Sequence, residues 1–376
     1  MRRPDIMRAA MIIPNLSGLL ACAGMVAAGA TLASAQAPAD EHRRFFALGD
    51  FRLESGVTLP NAKLAFATFG TLNERRDNAV LIPSWYGSDH HGYDFMIGPG
   101  KALDPSRDFI VATEMFANGF SSSPSNTPPP FDGPRFPAVA IRDDVEAARR
   151  LLADEFRVTH LRAIVGFSMG AQQAFQWAVT HPGFMDAVVG YCGTAKTYPH
   201  GIVRLEGAIS ALTADAAFND GNYTSPPLKG LAAWSRHWAG WVWSQEWWRR
   251  ELFKPQFKTV DEVLANRTAR DAVRDPNNLI SQARTWQRHN VGDSPGFAGD
   301  HEKALASIKA RVLSMPCETD LYFPIGDFRY EAQFIKGVTF TPIPSLWGHS
   351  AGSGGNPVDN QFINDQVATF LNHSTR

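Results

Sequence analysis

Short apolar runs alternate with amphipathic stretches along most of the chain, and this alternation predicts its secondary structure. A β-prone start near Phe45 and a strand at residues 63–70 precede six further apolar runs of strand length. These runs are Ala79–Pro83, Phe109–Thr113, Leu161–Val165, Ala187–Cys192, Arg311–Met315 and Val338–Ile343. Residues 138–156 and 171–180 lie between them and carry apolar positions at helical spacing. Strands and helices in this succession predict an α/β fold with a mostly parallel central sheet flanked by helices.

Residues 194–300 interrupt the alternation, because their pattern predicts helices and no strand. Six of the ten tryptophans fall within residues 234–248. They are Trp234, Trp238, Trp241, Trp243, Trp247 and Trp248. An aromatic run at helical spacing is typical of core packing, and it also suits a helical cap whose indole faces line a cleft. We expect such a cap, inserted after the sixth strand, with Trp238 and Trp241 as candidate substrate-binding residues.

The start of the chain predicts an export signal. Three arginines stand among the first eight residues, an apolar run follows to Leu32, and residues 33–35 read Ala-Ser-Ala, like a cleavage site. A membrane anchor or a lipoprotein attached at Cys22 are the alternatives. We expect export to the periplasm or the medium, without stable membrane association after cleavage. The predicted divisions are a signal peptide at 1–35, a core at 36–193, the tryptophan-rich cap at 194–300 and the rest of the core at 301–376.

Composition excludes several classes of protein. The chain has 36 basic and 37 acidic residues, so it has no overall field that would attract nucleic acid. No metal-ligand spacing and no phosphate-binding loop are present, so we expect neither a metal nor a cofactor. Cys192 and Cys317 are expected to be buried thiols, with a disulfide as the alternative. The oligomeric state is open, and a homodimer is compatible with the sequence.

The motif that carries chemistry is Gly166-Phe167-Ser168-Met169-Gly170. It follows the predicted strand Leu161–Val165 and precedes a predicted helix that begins near Ala171. This context is that of the nucleophile elbow of the α/β-hydrolase fold, in which a serine occupies a tight turn between a buried strand and a helix. The alternative is an ordinary turn between strand and helix. We predict that Ser168 is the nucleophile.

The acid and the base should follow the nucleophile in this order along the chain. The acid belongs after a later strand, and Asp320 follows the predicted strand Arg311–Met315. Glu318 and Asp327 are weaker candidates at the same place, and Asp320 as a plain helix cap is the alternative without function. We predict Asp320.

The base belongs after the final strand. His349 lies there, directly after the turn residue Gly348, and we predict it as the general base. His90 and His91 follow an earlier loop at the same end of the sheet. They could contact substrate, although adjacent loop histidines are more often simply solvated.

These residue types define the chemistry. The histidine takes the proton of the serine hydroxyl during attack, while Asp320 fixes the imidazole tautomer and stabilises the imidazolium. The oxyanion requires two backbone donors. We predict the N–H of Met169 as one donor and the N–H of Tyr86 as the other, with Trp85 as the alternative.

Several segments resemble the homoserine O-acetyltransferase family of the α/β-hydrolases. They are Ile97–Asp104, Phe136–Pro137, Ile141–Asp143, Ser168–Ala174 (similar to the family's S-M-G-G-M-Q-A) and Asp320–Pro324 (similar to its D-x-L-F-P). The resemblance spans roughly residues 53–371. It implies an α/β-hydrolase fold and the same triad, and it puts the second oxyanion donor at Tyr86.

The departures from this family concern its substrate. Ser84–Ser88 stands where the family has His-Ala-Leu-Thr-Gly, and the family's Thr-Tyr-Arg-Ser element, which holds the amino-acid substrate, has no counterpart in the cap. The tryptophan-rich stretch occupies that neighbourhood. An exported enzyme would also lack acetyl-CoA, so water is the expected acyl acceptor.

We therefore expect an exported serine esterase for small-acyl esters, with a small-molecule ester as its partner. Trp85 and Tyr86, with the two cap tryptophans named above, are the candidate substrate contacts. An O-acyltransferase with the same triad is the main alternative. Amide or lactone hydrolysis and a non-catalytic binding protein are the others.

Overall fold

A mixed sheet of eight strands forms the centre of the protein in a computed structural model that describes residues 40–373. The strands are β1 (Arg44–Arg52), β2 (Thr58–Phe69), β3 (Ala79–Pro83), β4 (Phe109–Glu114), β5 (Ala163–Phe167), β6 (Ala187–Tyr191), β7 (Arg311–Met315) and β8 (Thr339–Phe340). Their order across the sheet is β1-β2-β4-β3-β5-β6-β7-β8. The β1–β2 and β2–β4 pairs are antiparallel and the other pairs are parallel. The predicted α/β fold is confirmed.

Helices flank the sheet and fill the interval after β6. The α-helices are α1 (Ile141–Arg150), α2 (Met169–Thr180), α3 (Pro199–Thr213), α4 (Leu228–Val242), α5 (Gln245–Arg249), α6 (Val260–Asp271), α7 (Pro276–Gln287), α8 (His301–Ala306), α9 (Ile325–Ala332) and α10 (Pro357–Asn372). A π-helical turn at Leu151–Glu155 continues α1. Helices α3 to α8 lie between β6 and β7, and α3 to α7 confirm the helical cap after the sixth strand. The domain divisions stay predictions.

Two predicted elements differ from the observed ones. The last strand is assigned to Thr339–Phe340 and is shorter than the predicted Val338–Ile343, although the N–H groups of Thr341 and Ile343 still donate to the carbonyls of Ser314 at 3.0 Å and Pro316 at 2.7 Å. Ile343 still forms an isolated parallel bridge with Cys317. The strand before the nucleophile runs two residues further than predicted, so α2 begins directly after Ser168.

The central parallel strands place the site. Every residue of β3, β5 and β6 is buried, as expected for strands covered on both faces. The carboxyl ends of parallel strands meet at one edge of the sheet. The segments after β3, β5 and β7 therefore come together there, and these are the segments that carry the predicted oxyanion loop, nucleophile and acid.

The serine-rich loop between β4 and α1 has a structural task. Ser121 Oγ accepts the backbone N–H of Ala65 at 2.9 Å, and Ser122 Oγ accepts that of Lys63 at 2.9 Å. The loop thereby satisfies backbone donors of β2, which explains its buried hydroxyls.

Cys192 and Cys317 are both buried and free, as predicted. Burial raises the pKa of the Cys317 thiol to about 12 and also raises that of Cys192.

Within residues 40–373, no helix has both the length and the apolar content to cross a bilayer. The predicted export signal lies outside the described residues.

Candidate active site

Ser168 lies in a strained turn between β5 and α2. Its backbone has φ 56° and ψ −124°, a conformation that few residues other than glycine adopt. A Cβ on Gly166 would lie 2.1 Å from the carbonyl oxygen of Gly170, and a Cβ on Gly170 would lie 2.4 Å from that of Pro83. Only glycine fits at either position, so the spacing of the motif follows from the tightness of the turn.

His349 connects Ser168 to Asp320 through both ring nitrogens. Its Nε2 lies 3.0 Å from Ser168 Oγ, and its Nδ1 lies 2.7 Å from Asp320 Oδ2. All three side chains are buried. With Asp320 ionised, Nδ1–H donates to the carboxylate and the lone pair of Nε2 faces the serine hydroxyl. The structure thus brings together the three residues that the chain order predicts, and Glu318 is exposed.

Asp320 is itself oriented by the chain that follows it. Its Oδ1 accepts the backbone N–H groups of Tyr322 at 2.7 Å and Phe323 at 3.3 Å. Both rings then pack on His349, with centroids at 4.2 Å for Tyr322 and 5.7 Å for Phe323. Phe167 contacts the imidazole at 4.8 Å. The carboxylate and the imidazole are therefore held by backbone bonds and ring contacts before any substrate arrives.

Backbone donors are available near the nucleophile. Within residues 40–373, the N–H groups of Met169, Trp85 and Tyr86 donate to no acceptor. On either side of the last two, the N–H of Ser84 bonds to a β4 carbonyl at 2.8 Å and the N–H of Gly87 bonds to Gln282 Oε1 at 2.8 Å. The loop is thus fixed at both ends with two free donors between them. The preference for Tyr86 over Trp85 stays a prediction.

A cavity of about 350 Å³ opens in front of Ser168 and His349. Aromatic rings from the core and the cap form much of its wall. They are Trp85, Tyr86, Phe167, Trp234, Trp238, Trp243, Trp286 and Tyr322. Three predicted substrate contacts, Trp85, Tyr86 and Trp238, therefore line it. Trp241 does not, because its ring packs against His200 at 5.4 Å and His237 at 6.2 Å, beside α3.

One side of the cavity is polar and was not predicted. Arg267, Arg270, Asp271 and Arg274 line it from α6 and the turn after that helix. The arginines recur at positions i, i+3 and i+7, the spacing of one helical face. This spacing was visible in the sequence, but nothing there indicates that the face points at the nucleophile.

His90 and His91 do not line this cavity. His90 is buried, and its Nδ1 lies 2.6 Å from Glu114 Oε1. Asp89, His90 and Glu114 bring their possible ligand atoms within 4.8 Å of one another. The Arg43 guanidinium bonds to Asp89 at 2.8 Å and to Glu114 at 3.0 Å. Because a cation already bridges both carboxylates, we assign this cluster as an ion-pair network.

Comparisons with known proteins agree with this geometry. The family of the α/β hydrolase fold matches residues 80–309. The chain is 38% identical to an ethyl acetate hydrolase of Pseudomonas veronii over 307 residues, which cover 80% of this chain and 87% of the relative. It is 30% identical to a homoserine O-acetyltransferase of Solidesulfovibrio magneticus, covering 88% and 92%. The crystal structure of an acetylester hydrolase from Corynebacterium glutamicum superposes with a TM-score of 0.85 at 35% identity, covering 88% of this chain and 95% of that one.

Proposed function

This chain belongs to the α/β-hydrolase family, in a group that holds esterases and homoserine O-acetyltransferases, and we propose that it hydrolyses small-acyl carboxylic esters through an acyl-enzyme on Ser168. The observation that carries the proposal is the continuous line of hydrogen bonds from Ser168 through His349 to Asp320. Relatives named as ester hydrolases, at 38% identity and similar length, support the same reaction.

The first half of the reaction transfers the acyl group to the enzyme. As Ser168 Oγ attacks the ester carbonyl, His349 Nε2 takes the hydroxyl proton, and Asp320 stabilises the resulting imidazolium. The negative charge moves to the carbonyl oxygen. The free N–H groups of Met169 and of the loop after β3 are the donors for this oxyanion, and each such donor contributes about 3 kcal/mol.

The second half releases the acid. The imidazolium gives its proton to the departing alkoxide, the C–O bond to the alcohol breaks, and the acyl group remains on Ser168. Water then attacks the acyl-enzyme, with His349 again as the base, and the carboxylic acid leaves. A cavity of about 350 Å³ lies at the small end of ligand sites, which supports a small substrate.

The direct test is hydrolysis of p-nitrophenyl acetate without any added acceptor. We expect turnover by the wild type, its loss in Ser168→Ala, and an acetyl adduct on the Ser168 peptide after rapid acid quench. Labelling of the wild type by a fluorophosphonate probe, and not of Ser168→Ala, tests the nucleophile independently. A folded protein that neither turns over nor labels would overturn the proposal.

Acyl transfer is the second candidate, because the chain is 30% identical to a homoserine O-acetyltransferase over most of its length. With acetyl-CoA as donor, release of CoA that depends on added homoserine would favour this function. Hydrolysis of simple acetate esters at a rate unaffected by homoserine would favour the esterase.

We also propose that the protein is exported. The arginine-rich start, the apolar run and the Ala-Ser-Ala at residues 33–35 support this. N-terminal sequencing of the protein from a fractionated bacterial host should find a mature chain that starts near residue 36. An intact start in the cytoplasmic fraction would contradict export.

A further inference from the structure

Arg267 is a buried arginine in the wall of the active-site cavity, and no acidic side chain pairs with it. It is 9% exposed and lines the same cavity as Ser168 and His349. Across residues 40–373, none of its guanidinium nitrogens forms a hydrogen bond or an ion pair, and its Nε is fully enclosed. A buried charge without a partner is costly, so the position calls for an anion that arrives with the ligand.

The carboxylate nearest in sequence is already occupied. Asp271 Oδ1 accepts Arg270 Nε at 3.3 Å and Arg274 Nε at 3.2 Å, while its Oδ2 accepts Ser235 Oγ at 2.8 Å. The cavity wall thus carries three arginines and a single aspartate. Asp271 is thus engaged by two other arginines and forms no ion pair with Arg267.

The surroundings hold Arg267 in place without satisfying its donors. Its Cζ lies 5.2 Å from the centroid of Trp243, a cation–π distance, but a ring face offers no lone pair. Arg204 adds a second unpaired buried cation behind the wall, with its Cζ 4.2 Å from the Tyr322 ring and 5.0 Å from the Trp238 ring. Both guanidinium groups make this side of the cavity electropositive.

We propose that the preferred substrates are esters that carry a carboxylate away from the scissile bond, and that Arg267 binds this carboxylate. The proposal rests on the ester hydrolase function proposed above and names the substrate class of that site. A carboxylate matches the two-pronged geometry of a guanidinium, and it restores the missing counter-charge. A neutral ester leaves the Arg267 donors unpaired.

Two matched pairs of substrates test this. In the first pair the charge lies on the leaving alcohol, with 4-acetoxybenzoate against 4-acetoxybenzamide. In the second it lies on the acyl part, with monoethyl succinate against ethyl succinamate. The readout is the ratio of kcat/KM for the acid to that for the amide. We expect the wild type to favour the acid in one pair by roughly 10- to 100-fold, the range for a hydrogen bond to a charged group.

Variants of Arg267 test whether this residue causes the preference for the acid. Arg267→Gln should bring the ratio near one, and Arg267→Lys, which keeps the charge without the fork, should give an intermediate ratio. Arg249→Gln is the matched control, because Arg249 belongs to the cap but does not line the cavity, is exposed and pairs with Glu246. Its ratio should stay close to that of the wild type. Comparing ratios between variants cancels the intrinsic difference in reactivity between the two esters of a pair.

Two results would overturn the proposal. One is a wild-type ratio near or below one in both pairs, and the other is a ratio that Arg267→Gln leaves unchanged. Turnover of p-nitrophenyl acetate reports separately on the hydrolase function. If that turnover is absent, tryptophan fluorescence of Ser168→Ala, titrated with 4-hydroxybenzoate and 4-hydroxybenzamide, still tests the site. The proposal is supported if Ser168→Ala binds the acid at least tenfold more tightly than the amide and loses this preference when Arg267→Gln is added. Equal binding of the acid and the amide refutes the proposal.

Discussion

Replacing Asp320 by asparagine should disable the triad by reversing the imidazole tautomer. Asp320 Oδ1 accepts two backbone N–H groups, from Tyr322 and Phe323, and Oδ2 accepts from His349. In Asp320→Asn the amide oxygen must remain with the backbone donors, so the NH₂ group faces His349 Nδ1. That nitrogen then has to accept, which moves the ring proton to Nε2, and Nε2–H can no longer take a proton from Ser168.

The size of the effect follows from the loss of the base. In hydrolases with a Ser-His-Asp triad, this wrong tautomer lowers kcat by about 10⁴. At 1.36 kcal/mol for each factor of ten, the expected rise in the barrier is about 5 kcal/mol. The assay is kcat for p-nitrophenyl acetate near pH 7.5, together with the melting temperature to establish that the variant is folded.

Glu318→Gln is the matched control, because Glu318 lies two residues before Asp320 and its side chain is exposed. It should change kcat by less than about twofold, as surface substitutions away from a site do. Retention of a tenth or more of the activity by folded Asp320→Asn would refute the assignment of the acid. A large loss in Glu318→Gln would move that role to Glu318.

Three further predictions concern Gly170 in the nucleophile elbow, the buried carboxyl group of Asp143 and the Tyr322 ring that stacks on His349. Gly170→Ala should lower the free energy of unfolding by about 1–3 kcal/mol in urea titrations, because the added Cβ would lie 2.4 Å from the carbonyl oxygen at the end of β3. Gly240→Ala is the control, and it should be neutral or stabilising because a Cβ there meets nothing within 4 Å. Burial raises the pKa of Asp143 to about 6 from 3.8, which disfavours its ionised form in the fold. The stability of the wild type relative to Asp143→Asn should therefore fall by up to about 3 kcal/mol between pH 4 and pH 7, and a rise would contradict the assignment. Tyr322→Ala should lower kcat at least about tenfold by freeing His349, whereas Tyr322→Phe keeps the stacked ring and should stay within about threefold; equal losses would point to the hydroxyl instead.

The chemistry of the site could be predicted because each part depends on local sequence. The glycines around Ser168 are dictated by a contact of 2.1 Å within the turn and one of 2.4 Å to the end of β3, so they leave a pattern of fixed spacing. Asp320 and His349 follow strands β7 and β8, and because these strands are parallel their carboxyl ends lie at one edge of the sheet. Strand ends were less predictable. The regular pairing of β8 ends at Phe340, although the apolar pattern and single backbone hydrogen bonds towards β7 continue to Ile343.

The cap could be predicted as helical but not residue by residue. Trp238 and Trp241 are both apolar positions on α4, yet Trp238 lines the cavity and Trp241 packs beside α3. Helical periodicity identifies an apolar face, and it carries no information on which part of that face meets a neighbouring helix and which part meets an open space. That choice depends on how α3, α4 and α6 pack together, which is a tertiary property.

The arginines of α6 show where this limit matters for function. A basic stripe on a helix is normally a solvated surface, and two of these arginines fit that expectation because they share Asp271 and are partly exposed. Arg267 belongs to the same stripe but is buried in the wall of the cavity, beside Trp243. The triad determines that an acyl group is transferred, and it is the same in an esterase and an acyltransferase. The groups that can distinguish substrates are therefore the other residues that line the cavity, and Arg267 is the one that we propose for recognition of a substrate carboxylate.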